Sequence, residues 1–135
     1  MLQRPLANLD AWVNYLSLAD IPVLKRTARE LARLRENEEN ITGRQVAAVI
    51  LQDPLMTVRV LAYIEANRRK SQNADITTID RAVMMIGITP FFAKFENLPL
   101  VEDKLQAQPQ GLIGLLRVIA RACQAALFAR DWAAS

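Results

Sequence analysis

The sequence predicts an all-α protein: a compact orthogonal bundle of about seven helices, HD-related in plan and without a sheet. Three observations carry this. Apolar residues recur at helical spacing along most of the chain, and only one short run could be read as a strand. Helix-start devices stand before nearly every apolar stretch. The chain has only 4 glycines in 135 residues, too few turn residues for many short strands.

In chain order, Asn8 can cap a first helix with Leu9, Trp12, Val13 and Leu16 on one apolar face, ending near Asp20. Pro22 breaks the chain, and Leu24, Ala28, Leu31, Ala32 and Leu34 mark a second amphipathic helix. Its other faces carry Lys25, Arg26, Arg29, Arg33 and Arg35, and residues 36–40 form a polar connection. Thr42 and Gln45 have the spacing of a capping box, and Ile41 and Val46 that of a hydrophobic staple. Those devices decide that residues 46–51 start a helix instead of a strand.

Asp53-Pro54 then starts the helix on which the rest is organised, with Asp53 as N-cap and Pro54 at its first position. From Leu55 to Ile64 only Thr57 and Arg59 are polar, so this helix is expected to be covered by neighbours, with Leu61 fully buried. Residues 67–75 form a polar loop containing Arg68, Arg69 and Lys70. Thr77 or Thr78 caps a short helix with Ile79, Ala82, Val83 and Ile86, closed by Gly87 in a left-handed conformation, with Ile88 packing back on Val83. Thr89 and Pro90 restart the chain as N-cap and first residue of a helix carrying Phe91, Phe92 and Phe95, ended by Leu98-Pro99. Residues 100–111 are a connector with room for one short helix. A long last helix begins near Leu112, its stripe formed by Leu115, Leu116, Ile119, Cys123, Ala126 and Leu127.

Composition narrows the classes. A chain of 135 residues suits one domain, 1–135, burying roughly 68% of its unfolded surface. With 52% hydrophobic and 23% charged residues it is folded, not disordered. A net charge of +3 from 17 basic and 14 acidic residues is too mild to imply nucleic-acid binding by itself. Arg4, Pro5, Asn8 and Asp10 interrupt any signal-peptide pattern. The longest unbroken apolar run, Val46–Leu51, falls far short of the about 20 residues a membrane span needs. The single cysteine, Cys123, excludes an intrachain disulfide and suits a cytoplasmic location.

Signals for chemistry are mostly missing. The chain has no histidine, which removes the commonest general base, the Ser-His-Asp and Cys-His arrangements and most catalytic metal sites. No phosphate-cradling Gly-rich loop and no Gly-x-Ser-x-Gly elbow is present. Glu36, Glu38 and Glu39 lack the spacing of a cation loop and read as solvated charges. Cys123 sits on an apolar stripe and reads as a small buried residue. The three phenylalanines can wall a ligand site, but core packing is the favoured reading. Arg68, Arg69 and Lys70, with the basic residues of 25–35, can reach phosphates, although a solvated face is the simpler account. No catalytic, cofactor-binding or metal-binding residue is therefore assigned.

Three segments together resemble the HDOD family, the HD-related output domains of bacterial signalling proteins. They are Ile21-Pro22-Val23-Leu24, the stretch from Ile41 through Gln52-Asp53-Pro54 to Leu61, and Ile76 to Gly87 with its Ile-x-x-Ile start. The resemblance implies an all-helical domain related to HD phosphohydrolases but lacking their metal ligands, acting as a regulatory or interaction module. The chain departs from the family at Glu65-Ala66, where an Asn-Ser pair is common, and after Leu116-Arg117, where it has Val118 in the place of a histidine that often starts the later helix. Family domains usually continue with further helices, so the resemblance also implies a domain truncated at its C-terminal side. The expected function is thus a non-enzymatic, cofactor-free module of a bacterial signal-transduction protein, meeting other signalling domains through protein–protein contacts. A nucleic-acid-associated domain is the disfavoured alternative, and neither a membrane nor a small-molecule substrate is expected. Val118, Phe128 and Trp132 project away from the last helix's stripe, which marks an interaction surface and favours a homodimer.

Overall fold

The computed structural model describes residues 4–18 (backbone alone for 16–18), 20–67 and 78–135. Eight α-helices are found among them: α1 (Leu9–Leu18), α2 (Lys25–Arg35), α3 (Gly43–Ile50), α4 (Pro54–Ala66), α5 (Ile79–Ile86), α6 (Ile88–Lys94), α7 (Val101–Lys104) and α8 (Pro109–Ala134). A 3-10 turn occupies Glu38–Asn40, and no strand is present among the described residues. Among the described residues a parallel bridge joins Val23 and Leu100, where Val23 N–H donates to Pro99 O and Val101 N–H to Val23 O.

The starts of α1, α3, α4 and α5 are built by side chains legible in the sequence. Asn8 Oδ1 accepts from Ala11 N–H at 2.9 Å at the head of α1. At α3 both halves of the capping box are made: Thr42 Oγ1 accepts from Gln45 N–H, and Gln45 Oε1 accepts from Thr42 N–H at 2.8 Å. Thr78 caps α5 through Arg81 N–H, while Thr77 lies outside the described residues. Residues 46–50 are helical, as the capping box requires.

The core forms where α3 packs on α5 and α2, and α5 on α4 and α6. Val46, Ile50, Met56, Val60, Val83 and Phe91 are among its fully buried members. Phe91, Phe92 and Phe95 stack edge-on or tilted within it, and Tyr63 meets Phe95 at 75°. The phenylalanines are therefore core residues, and Phe92 and Phe95 also border a small pocket of about 70 Å³ against α2.

Several expectations are corrected. Leu61 is not buried: it is 40% exposed, with Val58 beside it, while Met56 and Val60 carry the buried stripe of α4. An all-round apolar helix does not say which side its neighbours will cover, and here α3, α5 and α8 pack on α4 while Val58 and Leu61 stay exposed. The apolar face of α1 also stays open, with Leu9 76% exposed. Gly87 itself, at φ +88°, separates α5 from α6, so Thr89 is inside α6 and caps nothing; α6 ends at Lys94, before Leu98-Pro99. Pro109 starts α8 instead of belonging to the connector, and Leu116 and Leu127 of its expected stripe are exposed.

Candidate interaction site

The best-connected polar group in the fold is the carboxylate of Asp53, which is fully buried. Its Oδ1 accepts from Leu55 N–H (3.0 Å) and Met56 N–H (3.3 Å), which caps α4 as expected. Its Oδ2 faces α2, accepting from Leu24 N–H (2.9 Å) and Thr27 Oγ1–H (2.8 Å). One side chain thus closes two helix starts that are 29 residues apart. Glu102 Oε2 completes the α2 start by accepting from Lys25 N–H at 2.9 Å, which ties α7 to it. Arg59, on the flank of α4, donates from Nη1 to the Asp20 carboxylate and to Ile21 O, pinning the segment that leads into α2. The sequence offered no signal for Thr27, Glu102 or Arg59, because each acts on a partner far away along the chain.

A cleft of about 310 Å³ opens beside this junction, between the α2 start and the middle of α8. Leu24, Arg26, Glu102, Ile119 and Cys123 line it. Arg26 Nη2 donates to Gln52 O at 3.3 Å, and Cys123 Sγ lies 3.6 Å from the same carbonyl. The thiol therefore faces a backbone oxygen, with no histidine in the chain to activate it as a nucleophile. Among the described residues no three His, Cys, Asp or Glu side chains converge to hold a metal ion. The second cleft, about 500 Å³, is an open polar bay along residues 35–40 with Ile88 and Thr89. The first cleft carries Arg26, Glu102 and Cys123, and the second Arg35 with Glu36, Glu38 and Glu39.

The basic residues divide. In α2, Arg26 is engaged by Gln52, Arg33 pairs with Glu30 at 3.0 Å and Arg35 with Glu96 at 3.1 Å, leaving Lys25 and Arg29 as its exposed side chains without an acidic partner among the described residues. Arg68, Arg69 and Lys70 lie outside the described residues.

What remains is the surface of α8. Only Ile119 of its 26 residues is buried, with Leu112, Leu115 and Cys123 half-buried on the same side. From Gln124 onward, through the last three turns, every residue is exposed. Val118 is 52% exposed, Phe128 59% and Trp132 83%, the three side chains singled out from the sequence. By length and composition alone α8 is also apolar enough to cross a membrane, which no unbroken run in the sequence suggested because arginines interrupt it.

Fold and site together define a helical domain that carries an exposed, largely apolar helix on its surface. The chain matches the HDOD domain over residues 21–135 and belongs to that family, an all-α domain associated with signalling. Comparison with curated proteins and with solved structures gave no match.

Proposed function

We propose that this chain is a non-enzymatic regulatory module of a bacterial signal-transduction protein, working in the cytoplasm through protein–protein contact on α8. The observation that carries the reading is the exposed apolar surface of α8, with Phe128 and Trp132 both exposed on the turns that follow Cys123, its last half-buried residue. Exposed aromatic side chains on a preformed helix are the usual anchors of an interface, and they do little for a free monomer. The missing histidines and the thiol facing a carbonyl support contact over catalysis. A nucleic-acid surface is less well supported, since three of the five basic side chains on α2 are already engaged.

A photoreactive amino acid placed at Phe128 in cells, with Arg29 on α2 as the control position, tests this. A discrete covalent adduct to protein from position 128 and none from position 29 is the expected result. No adduct from position 128, or retention of the purified chain on DNA that weakens steeply with salt, would remove the reading.

A further inference from the structure

The geometry of α8 points to its occupant: we infer that the outward face of this helix pairs antiparallel with the same face of a second copy of the chain, through stacked arginine and aromatic side chains. The inference rests on the reading of α8 as a contact surface and names the partner.

Successive helical residues advance by about 100°, so Arg117, Arg121, Phe128 and Trp132 fall within an arc of about 60°. That arc lies about 170° from Ile119, the residue buried against the body. All four side chains are exposed, and neither Arg117 nor Arg121 has an acidic partner among the described residues. The face thus carries two guanidinium groups four residues apart at one end and two aromatic rings four residues apart at the other. The two pairs are placed symmetrically. Arg121 and Phe128 are equally far from the midpoint between Gln124 and Ala125, and so are Arg117 and Trp132. A twofold axis through that midpoint therefore sets each Arg121 over the partner's Phe128 and each Arg117 over the partner's Trp132. Guanidinium groups are attracted to the faces of aromatic rings, tryptophan most strongly, and a twofold pairing doubles every contact.

The same residues argue against other occupants. Two guanidinium groups near the middle of the helix oppose its burial in hydrocarbon. A parallel pair would set arginine against arginine.

Sedimentation equilibrium of the intact chain from nanomolar to micromolar concentration tests the inference. A dimer mass at the upper end is expected. Arg117→Ala/Arg121→Ala and Trp132→Ala should each raise the dimer Kd, the double variant by roughly thirtyfold, with circular dichroism unchanged. Spin labels on Gly114→Cys in a Cys123→Ser background should lie about 30 Å apart or more, as an antiparallel pair requires. A monomer at all concentrations overturns the inference. So does a dimer indifferent to the arginine variant, labels within about 15 Å as in a parallel pair, or association only with phosphatidylglycerol vesicles. A monomer that still gives a position-128 adduct to a different protein overturns this inference alone and leaves the contact reading intact.

Discussion

Asp53 shows how much one residue can do once its surroundings are known. As a local signal it is a helix cap, whose loss costs about 0.5–2 kcal/mol. The fold gives its second oxygen to Leu24 N–H and to the Thr27 hydroxyl, both buried. Asp53→Ala strands those donors as well, so it should cost roughly 3–5 kcal/mol by urea unfolding. Thr27→Val, which keeps the shape and removes the hydroxyl, should cost about 1.5–3 kcal/mol alone and almost nothing once Asp53 is gone. Additive losses, or an Asp53→Ala cost within the range of an ordinary cap, would show that the two helix starts are not joined through this carboxylate. Gly87 makes a second case. At φ +88°, with an added Cβ meeting Pro90 Cδ at 3.3 Å, Gly87→Ala should lose about 1–2 kcal/mol in the same assay. Its left-handed turn was legible because glycine alone takes that conformation freely. Asp53's second role was not, because no spacing connects it to Thr27.

Among the elements, those fixed by neighbours in sequence were read well. The capping box at α3 settled helix over strand, since both hydrogen bonds close within four residues. The Asp-Pro start of α4 and the Thr78 start of α5 are local in the same way. The side on which a helix is covered depends on where distant helices lie, and there the pattern misled. Leu61 and Met56 look alike in an almost wholly apolar helix, yet Met56 is fully buried and Leu61 is half open. Met56→Ala should therefore cost about 2–5 kcal/mol, and Leu61→Ala under about 1.5 kcal/mol. Equal costs would mean that the outer side of α4 is covered in solution. The open face of α1 belongs to the same class of error: amphipathic spacing promises a burial that the rest of the fold does not supply.

For the whole molecule, the candidate site was legible only as a surplus. Val118, Phe128 and Trp132 fit no stripe that the body could bury, and they stand exposed on α8. The opposed pairs of arginines and aromatics were less evident, because their symmetry matters only when α8 is seen to be exposed throughout after Cys123. With no histidine in the chain, no tight transition-metal site is expected. Elemental analysis of untagged protein should find no stoichiometric zinc, iron or manganese, and one metal per chain surviving chelator dialysis would argue for catalysis. The central claim is that the aromatic side chains of α8 serve contact and not the fold. Urea unfolding of Phe128→Asp/Trp132→Asp beside the parent chain, at nanomolar concentration where association is absent, tests it directly. The two should agree within about 0.5 kcal/mol, as for exposed positions. A loss above about 3 kcal/mol would place both rings in the protein's own core and contradict the account.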